Sequence, residues 1–246
     1  MKTKYLVKFL NNSAHLDADL EFVDVIQVAV KNNRLNTAAS TYIFDYVDPE
    51  KHQKLFTRAN SDHSRKLAAN HLKTTIRAAF IKSLYETTTI YFQDILRAAT
   101  QKGLDTDRLI GEHSINISSK DLIRIGSFEK IVEKISSSIF RQLENEKSTK
   151  SLIEKMDKKL GLNLGEEIIH AALPYLEIRH RLVHGQGKAD KEFCEKYPFI
   201  GAEEDKTIEL EYNLINNARK AIITLVKEFD KKIVANGLVE TTDQQP

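Results

Sequence analysis

The sequence predicts an all-α protein, and three observations carry that prediction. Backbone breakers are scarce, with 9 glycines and 4 prolines in 246 residues. Lys, Glu, Leu, Ile and Ala are plentiful, and these residues favour helix over sheet. Apolar residues recur at steps of three and four over long stretches, the period of one helix face.

Taken in order, residues 1–60 hold short amphipathic pieces. Leu20, Val23, Ile26 and Val30 keep helical spacing behind a candidate cap at Asp17, and Pro49 punctuates before another short segment. Ser61-Asp62 opens the longest pattern, which runs to about Gln101 and stops at Gly103. Leu72, Ile76, Phe80, Leu84, Tyr91, Ile95 and Ala98 share its stripe. A straight helix of that length spans about 60 Å at 1.5 Å per residue. The β-branched run Thr87-Thr88-Thr89-Ile90 is weakly helical and predicts a bend there.

Residues 103–126 read as an irregular connection with a short helix near Ser119 to Arg124. Ser127 is placed to cap a helix from Phe128 to Leu143, and residues 144–150 read as a solvated hinge. A helix over 151–160 ends at Gly161. Asn163 followed by Glu166 resembles a capping box opening the next helix, in which Pro174 predicts a kink or split and Gly185 and Gly187 a stop. The polar stretch to Asp205 carries a Lys196-Tyr197-Pro198-Phe199 turn. Thr207 to Leu210 suits a short strand, and a final helix runs from about Asn213 to Ile233. Three segments are expected: residues 1–60 as an N-terminal helical segment, 61–238 as the main helical domain, and 239–246 as a disordered tail.

Composition narrows the function classes. The net charge is only +2, so any contact with nucleic acid must come from a local basic site. The single cysteine, Cys194, excludes an internal disulfide and fits a reducing compartment. No apolar run approaches the ~20 residues of a membrane span, so a cytoplasmic protein without membrane contact is expected.

Chemistry concentrates in Tyr175-Leu176-Glu177-Ile178-Arg179-His180-Arg181-Leu182-Val183-His184-Gly185. Arginine is a permanent, planar, phosphate-matching cation, and histidine exchanges protons near neutral pH. Ile168, Ala172, Leu176 and Val183 predict a core-facing stripe, and steps of three and four place Arg179 and His180 as interruptions of the apolar face. His184 falls at the helix C-terminus, where the dipole favours an imidazolium. Other readings stand beside these. Arg181 lies four residues after Glu177, which suits a surface ion pair. His180 and His184 are four apart, a zinc spacing without a matching third ligand. On composition alone, Arg179 and His184 are a solvated basic helix end.

Arg179, four intervening residues and His184 resemble the signature of the HEPN superfamily, helical domains whose nuclease members carry Arg, a short gap and His. The run from Arg179 through Gly185 and Asp190 to Phe193 resembles the RiboL-PSP-like branch, as do Phe80-Ile81-Lys82-Ser83-Leu84-Tyr85-Glu86 and the Phe229-Asp230 helix ending. The likeness covers roughly residues 65–235. The residue after the motif arginine is often Asn in that superfamily and is His180 here.

The resemblance implies a HEPN-like bundle, with a long antiparallel helix pair and shorter flanking helices. It also implies a metal-independent endoribonuclease acting in toxin or phage-defence RNA restriction, without cofactor. Arg179 would hold the phosphate, and His184 would act as base on the ribose 2′-hydroxyl or as acid on the leaving oxygen, leaving a 2′,3′-cyclic phosphate. His180, Glu86 and Asp190 are the supporting candidates. Glu86 would serve as a carboxylate behind Arg179, and Asp190 as a turn or cap residue beside the site. The implied partners are RNA, a second copy completing a composite site, and an antitoxin or regulatory protein. The alternative is a non-catalytic HEPN-like module binding RNA, nucleotide or protein and serving in dimerisation.

Overall fold

The computed structural model describes residues 1–36, 41–146 and 148–246. It is all-α apart from one two-residue strand pair. In chain order the elements are β1 (Lys2–Thr3), α1 (Lys4–Lys31), α2 (Gln53–Phe56), α3 (Asp62–Lys102), α4 (Thr106–Ile110), α5 (Ser119–Ile125), α6 (Phe128–Glu144), α7 (Thr149–Leu160), α8 (Glu166–His184), α9 (Lys191–Lys196), α10 (Tyr212–Ala235) and β2 (Gln244–Gln245). Residues 37–40, within the expected N-terminal segment, and 147, within the expected hinge, lie outside the described residues.

The chain divides into two compact units, one of residues 1–13 with 81–246, the other of residues 14–80. The boundary expected at 60/61 is therefore corrected. The reason lies in β1 and the first turns of α1. The Thr3 amide and hydroxyl donate to the buried Asp230 carboxylate at 2.9 and 2.5 Å, and the Tyr91 hydroxyl donates to the same group at 3.1 Å. Phe9 stacks edge-on to Tyr91, Tyr91 meets Phe92, and Phe92 meets Phe229 at 4.8 Å between centroids. The tail is corrected with it. Val239 is buried, a turn forms over Thr241–Asp243, and β2 pairs antiparallel with β1. Asp243 accepts from the Tyr5 hydroxyl and pairs with Lys4. A tail that reads as polar and unstructured is held by ion pairs and two strand residues that no local pattern reveals.

In the smaller unit, the short pieces expected before residue 31 are one helix, α1, which passes the proposed cap at Asp17 without a break. Leu20, Val30, Ile43, Ala69 and Phe80 are buried there. Arg77, nearly buried, pairs with Asp24 at 3.3 Å.

In the larger unit, α8 packs on α10 and α7, and α7 packs on α6. α6 begins as the sequence predicts, with the Lys130 amide donating to Ser127 Oγ at 3.3 Å. α7 ends at Gly161 in the left-handed region (φ 64°), a conformation that costs glycine nothing. α3 is continuous through Thr87, Thr88 and Thr89, whose hydroxyls donate to the carbonyls of Ser83, Leu84 and Glu86 at 2.8, 2.8 and 2.9 Å, the kind of bond that accompanies a bend rather than a break. Two other expectations, a split and a cap, give way. α8 runs through Pro174 without splitting, since its flanking residues Ile169, Ala172, Leu173, Leu176 and Ile178 are all buried. Asn163 does not cap α8. It takes a φ of 54°, the Leu164 amide turns back to Asp157 Oδ1 at 3.1 Å, and the helix starts behind Gly165. No strand forms over 207–210. Thr207 and Glu204 make single bridges to Lys188 and Ala189.

Candidate functional site

The site is built on the last two turns of α8 and on the glycine turn at residues 185–187. Gly185 and Gly187 both donate their amides to the Arg181 carbonyl at 2.9 Å, closing the helix after His184 as predicted. The turn is then pinned to the 205–208 segment through Ala189 N–H to the Lys206 carbonyl, Asp205 N–H to the Ala189 carbonyl and Ile208 N–H to the Gly187 carbonyl. Gln186 and Gly187 take φ values of 54° and 78° to make this reversal. His184 is thus an exposed residue at a fixed helix end.

The predicted core stripe stops short of this end. Leu176 and Ile178 are buried, whereas Val183 is 44% exposed. Arg179 is half-buried and His180 exposed, so only Arg179 intrudes into the packed face.

Arg179 lies over the ring of Tyr85 on α3, its guanidinium carbon 4.5 Å from the ring centroid. It donates no hydrogen bond and joins no ion pair within 4 Å among the described residues. The carboxylate that feels its charge is Glu144, the last residue of α6. Desolvation raises the Glu144 carboxyl, and the guanidiniums of Arg179 and Arg141 oppose that rise. Burial likewise raises the Tyr85 phenol, again against the pull of Arg179. Glu86, expected behind Arg179, is exposed and joins no ion pair among the described residues. One residue is a 100° step around a helix, so Tyr85 takes the inward place and Glu86 faces solvent.

His180 and His184 form a pair, with ring centroids 4.7 Å apart and planes at 45°. His180 is held below the usual imidazole range by desolvation, then by the charges of His184, Arg181 and Arg179. No hydrogen bond or ring contact joins Arg179 to His184 among the described residues. Their five-residue separation leaves them on different sides of the helix, and His180 is the member that senses both.

Arg181 does not pair with Glu177. Its head group is nearly buried over the Phe193 ring at 4.4 Å, and Nη2 donates to both Asp190 oxygens at 2.7 Å. Glu177 instead accepts from Lys196 Nζ at 2.8 Å and from the Tyr197 hydroxyl at 2.9 Å. Asp190 also caps α9, accepting from the Phe193 amide at 2.8 Å, and the Arg181 bonds hold its carboxyl below the usual range. Asp190 therefore fits the cap reading, beside the site. No third donor joins His180 and His184 in a metal-type cluster among the described residues.

Tyr85 and Glu144 are the neighbours of Arg179 that the sequence did not single out. Tyr85 sits inside the segment that carried the resemblance, next to the residue chosen. Nothing in the spacing of Glu144 points to Arg179. Compared with family models, curated proteins and solved structures, the chain matches none. No helix among the described residues is long and apolar enough to cross a membrane.

Proposed function

We propose that this chain is a metal-independent endoribonuclease of the HEPN type, acting in RNA restriction as a toxin or defence effector. The observation that carries the reading is the contrast between the two arginines. Arg181 is committed to Asp190, while Arg179 is oriented by an aromatic face and keeps its donors uncommitted, on the same helix end as two exposed imidazoles. A guanidinium held without a carboxylate partner is prepared for a phosphate, which it meets with two parallel donors.

In this mechanism an imidazole, His184, takes the proton of the ribose 2′-hydroxyl as the oxygen attacks phosphorus. Arg179 stabilises the charge gathering on the phosphoryl oxygens. A second imidazole returns a proton to the departing 5′-oxygen, leaving a 2′,3′-cyclic phosphate, and DNA is spared because it lacks the attacking group. His180 takes the place where Asn is usual, and its imidazole, held toward the neutral form, supports this proton exchange from the same helix end. Arg179 and His184 do not touch within one chain, which favours a homodimer in which a second α8 end completes the site. An antitoxin or regulatory protein covering this end belongs to the same proposal.

The test is cleavage of pooled RNA by purified protein in EDTA, beside Arg179→Ala and His184→Ala variants whose melting matches wild type. Cyclic-phosphate products from wild type, reduced at least about 100-fold in each variant, are expected for a paired acid–base and charge-stabilising role. Binding of RNA without cleavage would replace the nuclease with the binding module.

A further inference from the structure

A second constellation, sharing no residue with the end of α8, lies in the same unit. Glu112 and His113 follow α4, and Glu146 follows α6. One carboxylate oxygen from each glutamate and one imidazole nitrogen of His113 all lie within 4.8 Å of one another. His113 is nine-tenths buried, and its Nε2 is shielded from solvent with no hydrogen-bond partner. Buried polar atoms in folded chains are nearly always satisfied, so a lone imidazole beside two carboxylates is a chemical anomaly.

The neighbouring lysines sharpen it. Lys155 Nζ stands 2.5 Å from Glu112 Oε1 and 2.6 Å from Glu146 Oε1, so a cation already sits between the carboxylates. It leaves the imidazole without a bond. Lys159 is occupied elsewhere, donating to the carbonyls of Arg108, Leu109 and Ile110 at 3.4, 2.7 and 3.2 Å and fixing the end of α4. Burial, then the charge of Lys159, disfavours the imidazolium of His113, and the neutral imidazole is the ligand form.

We propose that Glu112, His113 and Glu146 form a divalent transition-metal site of the zinc class, with the Lys155 ammonium as its displaceable occupant. One nitrogen and two carboxylate oxygens form a donor set that suits zinc, whereas magnesium and calcium take oxygen alone. Ligands at about 2.0–2.2 Å from a tetrahedral ion stand roughly 3.3 Å apart, so the three donors close in from their present spacing. The two glutamates make that movement, since Glu112 is exposed, Glu146 half-buried and His113 fixed by its burial. A cavity of about 400 Å³, lined by Arg108, Gly111, Glu112, Lys155 and Lys159 among others, opens on the Glu112 side of the cluster. Bound metal would tie the turn after α4 to the connection after α6, a role independent of the ribonuclease reading.

The test titrates zinc chloride into the chelator-stripped full chain, by calorimetry with native mass spectrometry for stoichiometry. One zinc per chain is expected, weakened at least about 10-fold in His113→Asn and in Glu146→Gln. Lys155→Met, which removes the competing ammonium, binds more tightly than wild type. A His180→Ala/His184→Ala double variant binds as wild type does. The site is overturned if wild type takes up no stoichiometric zinc. It is equally overturned if uptake survives both ligand substitutions in proteins with wild-type melting, if the double-histidine variant alone abolishes uptake, or if Lys155→Met fails to tighten it. Should a ligand variant not fold, the Lys155→Met arm decides.

Discussion

Arg179 and Arg181 are two positions apart, so α8 turns them about 200° from each other. That rotation separates a guanidinium stacked on Tyr85 from one bonded to Asp190 over Phe193. If Tyr85 orients Arg179 by its ring, Tyr85→Phe leaves cleavage near wild type. Tyr85→Leu, which removes a cation–π contact worth about 0.5–1 kcal/mol, then lowers kcat/KM roughly 2–5-fold, read from initial cleavage rates. His180 gives a pH signature. Its imidazole binds a proton less readily in the folded chain than the ordinary value of 6.5 allows. The unfolded chain takes up that proton first, so stability falls as pH drops through 6.5 and is regained above it. Melting curves between pH 5 and 8 are expected to show a shallower acid slope in His180→Asn than in wild type.

At the scale of elements, the end of α8 is held by the start of α9. Asp190 accepts the Phe193 amide and both bonds from Arg181, joining the cap of α9 to the last turn of the catalytic candidate helix. Asp190→Ala removes cap and ion pair together and is expected to lower stability by about 1–2 kcal/mol at pH 7. Asp190→Asn keeps the cap and costs less. The Asp190 carboxyl is held below its ordinary 3.8, so its ionic contribution is complete above that value. It is lost as pH falls through the folded value, and the gap between wild type and Asp190→Asn closes in acid. Chemical denaturation at pH 7 and below pH 3.8 checks both magnitude and sign.

Across the whole molecule, the two chain ends meet on α10. Asp230 gathers the Thr3 amide, the Thr3 hydroxyl and the Tyr91 hydroxyl, all buried. Asp230→Ala strips three donors of their acceptor at once and is expected to cost about 3 kcal/mol or more. Removing the residues after Val239 deletes β2, the Lys102–Glu240 bridge and the Asp243 contacts of Lys4 and Tyr5. A loss of about 2 kcal/mol is expected from the strand bonds and partly buried pairs together. Thermal melting of the shortened chain checks this, and an unchanged midpoint would return the tail to the disorder its composition suggests.

By itself the sequence determined the helical class, the long α3, the Ser127 cap, the Gly161 stop and the placement of His184 at a helix end. Each follows from local periodicity, propensity or backbone freedom within a few residues. Tertiary structure decided which arginine is committed and which is open, because Arg181 reaches Asp190 across a reversal that periodicity does not encode. It also replaced Glu86 with Tyr85 and brought in Glu144, since facing positions on different helices depend on how those helices pack. Pro174 and the threonines of α3 kept their helices for reasons of the same kind: burial of the flanking residues, and hydroxyl bonds to the preceding turn. The union of both termini and the meeting of His113 with two glutamates depend on contacts between residues far apart in the chain, which no window of sequence contains.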